Sequence, residues 1–234
     1  SCAPEGVLLE LTAGEPIRGS HLLVAAGRRP NVDELRLDLA GVVADQNGIN
    51  VDAYRRTSRK HIFAIGDCRA GPRFTHAAGR DGALVTRTIG FGLPARAHDD
   101  TLPGVIFTDP ELAQVGLTEE AARARHGHVR VLRAFFSEND RALVDDDADG
   151  FIKVIRAGPR IVGVTLVGAS VGELVLPWTM LLGKASLWSL FGTVVPYPTR
   201  SELSKAVAFA AYEPIVFSRK ARAWAQLLAR LRRP

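Results

Sequence analysis

The residues of this sequence with the clearest chemical potential lie in three separate segments. Asp67 follows a glycine at the end of the apolar run 62–65, where its carboxylate can accept hydrogen bonds from the hydroxyl groups of a polyol. Thr75 stands before a helical pattern, whose first backbone N–H groups and positive dipole end attract electron-rich groups. Tyr197 lies between two prolines, and Glu202 begins another helical pattern. A phenol, whose pKa is about 10, can donate a hydrogen bond or stack on a ring, but it is a poor base at neutral pH.

Each of these residues also has a plain structural explanation. Asp67 can be a turn residue, and Thr75 an ordinary helix cap. Glu202 can be an acid that the helix dipole favours, and Tyr197 can simply seal an interface. The choice between the functional and the structural explanation of each residue therefore depends on the surrounding elements and on the rest of the sequence.

The hydrophobic patterns predict two kinds of architecture in succession. Residues 22–26 predict a strand that ends at Gly27, and residues 62–65 a buried strand of a parallel sheet. Thr75 is expected to be the N-cap of a helix over 76–91. Residues 92–103 predict a linker, beyond which the pattern is that of an antiparallel α+β domain. The expected fold class is therefore α/β followed by α+β. The other predicted elements are strands at 7–11, 105–107, 129–135, 151–156 and 161–167, and helices at 121–126, 170–182 and 201–211.

Two local features of the predicted helices carry specific expectations. Pro177 lies inside the helix 170–182 and is expected to kink or interrupt it. Thr199 or Ser201 is expected to cap the helix that begins near Glu202, which makes the segment a rigid platform for a site.

An acidic segment resembles half of a calcium-binding loop. Asp145, Asp147, Asp149 and Gly150 match the start of an EF-hand, but the twelfth position, which needs a glutamate, holds Arg156. A solvated hairpin turn is predicted instead.

The net charge of +5 is concentrated at the C-terminal end. Residues 218–234 contain six basic residues and no acid, which leaves the rest near neutrality. Nucleic-acid binding, which needs basic residues over a face of the fold, is not expected. The apolar residues Phe217, Ala221, Trp224, Leu228 and Leu231 have helical spacing. Such a helix either packs on its own protein or contacts an anionic membrane surface or a partner.

Cys2 and Cys68 supply neither a disulfide framework nor a cluster of metal ligands. The sequence therefore predicts a cytoplasmic protein without a metal site. No run of about eighteen apolar residues occurs, so no membrane-spanning helix is predicted.

Six motifs occur in a characteristic order: GRRPN, AIGDC, FTHAA, PGVIFTDPELAQVGLTE, VGVTLVGASVGEL and PYPTRSEL. Together they resemble the pyridine nucleotide-disulfide oxidoreductase family, which includes lipoamide dehydrogenase, glutathione reductase and mercuric reductase. The resemblance extends from about residue 20 to residue 210. Single motifs are weak, but the FTDPE and PTRSE blocks downstream of Gly66-Asp67 are specific in combination.

The resemblance implies FAD and NAD(P)H as cofactors. It places Asp67 at the ribityl chain of FAD, and the helix start at Thr75 and His76 at the pyrimidine edge of the flavin. It places Gly27 beside the nicotinamide nucleotide, although a plain turn glycine is the alternative. No G-x-G-x-x-G motif and no C-x4-C redox pair occurs, so both cofactor sites are expected to be incomplete in this chain, which alone should not hold FAD.

The resemblance also implies the domain organisation. Residues 1–30 are expected to end a nicotinamide-binding domain, and residues 31–100 to be the returning C-terminal part of a Rossmann-like FAD-binding domain. Residues 101–234 are expected to be an interface (dimerisation) domain with an antiparallel sheet. The expected assembly is a homodimer with helices 172–182 and 201–211 at the interface, and the chain is expected to be the C-terminal part of a longer enzyme.

Tyr197 is the departure that bears on the subtype. Disulfide-reducing members have a catalytic His at this position, and Glu202 matches the acid that orients it. Mercuric reductases and soluble transhydrogenases carry Tyr there, so a mercuric reductase-like or transhydrogenase-like enzyme is expected. The resemblance places Tyr197 across the dimer interface, facing the partner's flavin. The chain lacks the terminal cysteine pair of mercuric reductases, so its small-molecule substrate stays open. The alternative is a stand-alone dimerisation module without catalytic activity.

Overall fold

The computed structural model of the chain describes residues 2–3, 6–183 and 187–231 and divides into two units, Ser1–Gly71 and Pro72–Pro234. The first unit contains a three-stranded antiparallel sheet, a two-stranded hairpin and short helical turns. Its small core is formed by Val42, Ile49 and Ala64. Its strands are β1 (Cys2–Ala3), β2 (Gly6–Leu9), β3 (Ile17–Gly19), β4 (Ala44–Asp45) and β5 (Gly48–Ile49), and its helices are α1 (Leu37–Ala40) and the 3-10 turns Asp33–Leu35 and Gly66–Cys68.

Two predicted strands of the first unit are wrong. Residues 22–26 are irregular, and the side chains of Leu23 and Val24 are 88% and 76% exposed. Residues 62–65 form a short antiparallel pairing, in which Ala64 N–H donates to the Arg55 carbonyl over 3.1 Å. A continuous apolar run becomes a buried parallel strand only where strands pair with both of its edges, and the described residues supply no such strands.

The second unit is built on a five-stranded antiparallel sheet in the order β6-β7-β10-β9-β8. This confirms the predicted antiparallel α+β architecture, although β7 was not predicted. The strands are β6 (Gly104–Ile106), β7 (Glu111–Gly116), β8 (Arg130–Phe135), β9 (Phe151–Ala157) and β10 (Arg160–Gly168). The helices are α2 (Thr75–Phe91), α3 (Glu119–His126), α4 (Asp140–Val144), α5 (Val171–Leu181), α6 (Trp188–Phe191), α7 (Glu202–Ala210), α8 (Glu213–Val216) and α9 (Arg219–Leu231), with 3-10 turns at Asp99–Thr101 and Phe136–Glu138.

Helices α5 and α7 cover one face of this sheet. Helix α5 contacts β7 and β10, and α7 contacts β8 and β9. The core between them contains Trp178, Leu203 and Phe136, whose side chains are almost completely buried. Truncation of a buried aromatic residue of this kind costs about 3–5 kcal/mol, so this core holds the unit together. Ile155 faces the other side of the sheet, where it packs with Ala122 of α3.

Three expectations about helices need correction. The N-cap of α2 is Phe74, in an extended conformation, so Thr75 is the first helical residue and not the cap. Of the two expected effects of Pro177, the interruption does not occur, because α5 continues on both sides of it, and the kink stays a prediction. Phe217 precedes α9, and its ring packs edge-on against Phe209. None of the described side chains of α9 is buried, so this helix has no buried face in the described part of the chain.

No helix among the described residues is long and apolar enough to cross a membrane. The domain boundaries after residues 30 and 100 remain predictions.

Candidate functional site

Tyr197 lies in the loop before α7, with its side chain 71% exposed. Its hydroxyl group donates a hydrogen bond to Oδ2 of Asp140, at the start of α4, over 3.0 Å. The Asp140 carboxylate, which accepts this bond and adds its negative charge, raises the pKa of Tyr197 above its ordinary value. The phenol is therefore protonated at neutral pH and acts as a donor and not as a base.

Glu202 is the first residue of α7, and its carboxylate turns back along the chain. Its Oε2 accepts a hydrogen bond from the backbone N–H of Thr199 over 3.3 Å. The predicted cap is wrong at both positions. Ser201 has helical backbone angles and makes no cap bond, and the Thr199 hydroxyl donates to the Pro196 carbonyl over 2.7 Å. A capping side chain needs an extended backbone, which Ser201 does not have.

Asn139 also holds the loop that carries Tyr197 in place. Its side-chain amide donates to the Thr199 carbonyl over 3.1 Å, and its side-chain oxygen caps α4 by accepting the N–H of Ala142 over 3.1 Å. Because the Asn139 side chain is buried, its polar atoms depend on these bonds more than exposed groups would. One residue therefore fixes both the start of α4 and the backbone beside Tyr197.

The acidic segment after α4 also binds this loop, through ion pairs with Arg200. The guanidinium group of Arg200, whose side chain is 14% exposed, lies 3.1 Å from Oδ2 of Asp145 and 3.2 Å from Oδ2 of Asp147. The predicted hairpin turn is therefore wrong, because the segment joins α4 to β9 and binds an arginine. Hydrogen bonds from Arg141, and then from Arg200, lower the pKa of Asp145, which keeps this carboxylate ionised.

A cleft of about 390 Å³ opens beside these groups. Its lining includes the polar residues Asn139, Asp140 and Glu202. It also includes the basic residue Lys205 and the aromatic residue Phe209. The structure thus brings Tyr197 and Glu202 together with three residues that sequence reasoning missed: Asn139, Asp140 and Arg200. Their contacts with the loop span 53 to 60 positions of sequence, and no local pattern signals contacts at that distance.

Asp67 lies in the 3-10 turn Gly66–Cys68 of the first unit, with an exposed side chain. The turn packs closely against Gly48, because a Cβ atom at Gly48 would lie 2.6 Å from the carbonyl oxygen of Cys68. An exposed carboxylate can accept hydrogen bonds from the hydroxyl groups of a ligand, which is compatible with the ribityl chain of FAD.

Helix α2 begins without a side-chain cap, so its first N–H groups stay available to a ligand. Thr75 and His76 are exposed there. His76 uses its ring to hold the chain, because Nε2 lies 2.7 Å from the Pro103 carbonyl and the ring stacks on Phe74. That contact requires Nε2 to carry the proton. The backbone N–H of His76 stays available to a ligand, whereas its Nε2 is engaged by the Pro103 carbonyl.

Gly27 has a positive φ of 108°, which favours glycine, and a Cβ atom built there meets nothing within 4 Å. A ligand can approach its backbone closely, as a nucleotide site needs.

Comparison with known proteins assigns the family. The sequence pattern described as pyridine nucleotide-disulphide oxidoreductase, dimerisation domain, matches residues 102–208, and the pattern of pyridine nucleotide-disulphide oxidoreductase matches residues 3–82. The two matches cover most of the chain. The chain therefore belongs to the pyridine nucleotide-disulphide oxidoreductase family, as the motifs predicted.

Individual relatives agree with this assignment. Dihydrolipoyl dehydrogenase of Thermus scotoductus is 40% identical over 203 residues, and dihydrolipoyl dehydrogenase 3 of Haloarcula marismortui is 36% identical over 216 residues. These alignments cover 84% and 90% of this chain and 44% of each relative. The crystal structure of LpdA from Mycobacterium tuberculosis has a TM-score of 0.82 at 26% identity, over 90% of this chain and 47% of that one. The chain thus spans about half the length of the proteins that it matches.

Proposed function

We propose that this chain is the C-terminal part of a homodimeric flavoprotein that binds FAD and transfers electrons from NADH or NADPH to a small-molecule acceptor. Asp67, the N–H groups at Thr75 and His76, and Gly27 are proposed to contact the cofactors. FAD, when bound, supplies the electron transfer between the nicotinamide and the acceptor. The relatives named as dihydrolipoyl dehydrogenases support this reaction class, and the two cysteines support a cytoplasmic location.

We further propose that Tyr197 makes the enzyme a poor reductant of ordinary disulfides, in the manner of mercuric reductases or soluble transhydrogenases. The observation that carries this proposal is the hydrogen bond from the Tyr197 hydroxyl to Asp140. A general base must accept a proton near neutral pH, whereas this phenol already holds its proton against a carboxylate. Tyr197 is therefore proposed to orient the acceptor by donating or stacking, in the partner subunit's site.

Substitution of Tyr197 in the full-length enzyme tests this proposal. Tyr197→Phe is expected to lower NAD(P)H oxidation with the native acceptor class about tenfold, because one hydrogen bond to a charged group is lost. Tyr197→His is expected to raise disulfide reduction by about 100-fold or more, because an imidazole can act as a general base. The assay follows NAD(P)H oxidation against disulfides, quinones and metal ions.

Tyr54→Phe is the matched control and should leave every activity unchanged. A full-length protein that binds no flavin or does not oxidise NAD(P)H contradicts the proposed function itself. A wild-type enzyme that reduces lipoamide rapidly, with Tyr197→Phe unchanged, contradicts only the role of Tyr197.

The homodimer is tested by the exposed face of α5. Leu176 and Met180, one helical turn apart, are 65% and 63% exposed, which agrees with the expected apolar outer face of this helix. Leu176→Glu is expected to convert a dimer into a monomer at micromolar concentration in light scattering, because a charge enters a desolvated interface. Leu39→Glu, at an equally exposed leucine outside the dimerisation domain, should remain dimeric. A monomeric wild type contradicts the prediction.

A further inference from the structure

Helix α9 is amphipathic, and none of its described side chains is buried in the described part of the chain. Trp224, Leu227, Leu228 and Leu231 follow one another on one side at helical spacing. Trp224 and Leu231 are 62% and 73% exposed. An isolated helix of 13 residues is marginal in water, and most helices gain their stability by packing an apolar face. The apolar side of α9 therefore needs an occupant.

The charges around this helix indicate which occupant. Ser218 caps the helix by accepting the N–H of Ala221 over 3.1 Å, and the cap is followed directly by Arg219 and Lys220. Cations at a helix N-terminus oppose the helix dipole, so they do not stabilise the fold. Arg219 and Arg222 lie with Gln226 on the side opposite to Trp224, since each residue advances by about 100°. The segment from residue 218 onward holds six basic residues and no acid.

We infer that α9 lies on an anionic lipid membrane, with the side of Trp224, Leu228 and Leu231 at the boundary of headgroups and acyl chains. The combination of an apolar stripe, a tryptophan and basic flanks matches the interfacial helices of peripheral proteins. This inference does not depend on the proposed enzymatic function.

Other occupants fit these features less well. Nucleic acid binds basic residues, but it has no apolar surface on which a stripe of tryptophan and leucines could pack. A second copy of the helix would bring like charges together, and the rest of the chain carries almost no net charge with which to balance them. A lipid surface satisfies both the apolar side and the basic residues.

Vesicle flotation of the full-length protein tests the inference. We expect binding to vesicles of phosphatidylcholine with phosphatidylglycerol, weak binding to phosphatidylcholine alone, and release by salt. The double variant Arg219→Glu with Arg222→Glu is expected to bind at least about 20-fold more weakly, at roughly fivefold for each basic residue lost. The same charge reversal at two exposed arginines elsewhere, Arg18→Glu with Arg160→Glu, should change binding much less.

A second pair of variants separates the two sides of the helix. Trp224→Asp and Gln226→Asp add the same charge, but only the first removes an apolar side chain from the stripe. Trp224→Asp is expected to weaken binding at least about tenfold more than Gln226→Asp, because burial of a large apolar side chain is lost.

Several outcomes would overturn the membrane inference. One is the absence of vesicle binding at low salt, and another is an equal effect of Trp224→Asp and Gln226→Asp. Light scattering in which Trp224→Asp dissociates a dimer, without any vesicle binding, would instead assign the stripe to a second copy. Retention on duplex DNA without vesicle binding would assign the basic residues to nucleic acid.

Discussion

Gly163→Ala is expected to destabilise the second unit by at least about 3 kcal/mol. A Cβ atom at this position would collide with the carbonyl oxygen of Leu117. The obstacle is backbone, which is held there because Leu117 N–H donates to the Val162 carbonyl over 2.9 Å. The register of β9 and β10 also shifts between Ile161 and Gly163, so the strand already deviates at this point. Neither chain segment can withdraw without breaking sheet hydrogen bonds.

The measurement is thermal unfolding of the 234-residue chain followed by circular dichroism. A loss of 3 kcal/mol corresponds to a fall of roughly 6–12 °C in Tm for a chain of this size. Gly79→Ala is the matched control, because a Cβ atom there meets nothing within 4 Å and the residue lies inside α2. This variant should be neutral or more stable by up to about 1 kcal/mol. An unchanged Tm for Gly163→Ala would show that the strands separate more easily than their hydrogen bonds indicate.

The antiparallel strands β9 and β10 of the second unit were predictable because their pairing is local. The predicted strands 151–156 and 161–167 became the neighbours β9 and β10, joined by a tight turn. One face of each strand is buried and the other is partly solvated, which produces the alternation that sequence reasoning detects. Strand β7 was missed because its sequence, ELAQVG, begins with an acid and carries a glutamine, so its alternation is weak.

The parallel strand predicted at 62–65 failed for the opposite reason. Its apolar run indicates that the segment could be buried, but it does not identify the strands that would bury it. Those strands are distant in sequence, and without them the segment does not become a buried parallel strand. The helix caps failed on a finer scale. Thr75 and Ser201 have suitable side chains, but helical backbone angles at these positions prevent them from capping.

The candidate site was half predictable. Tyr197 and Glu202 were identified from one short motif, whereas the residues that hold their loop, Asn139, Asp140 and Arg200, come together only in the folded chain. The acids at 145 and 147 were conspicuous in sequence. Their partner could not be read, because charged residues of either sign are most often solvated.

Arg200→Ala in the full-length enzyme is expected to lower kcat by about 10- to 100-fold, because a displacement of about 1 Å at a site can have an effect of this size. The hydrogen bonds of Arg200 go to Asp145 and Asp147, whereas the Tyr197 hydroxyl donates to Asp140. Arg200 ties the loop that carries Tyr197 to Asp145 and Asp147, so it acts as a positioning residue. Its removal should release the loop and weaken the 3.0 Å bond between Tyr197 and Asp140.

Arg141→Ala is the matched control. Arg141 also pairs with Asp145, over 2.8 Å, and its side chain is 48% exposed. This pair joins a residue of α4 to the residue that follows the helix, so it does not hold the loop that carries Tyr197. An exposed pair of this kind contributes little, so this variant should keep nearly full activity. A purely structural role for Arg200 is separated from positioning by a double-mutant cycle with Tyr197→Phe. If Arg200 positions the phenol, Tyr197→Phe will have less effect in the Arg200→Ala background than in the wild type, and its effect will be unchanged in the Arg141→Ala background. Additive effects of Arg200→Ala and Tyr197→Phe would show that the arginine stabilises the fold without orienting the tyrosine.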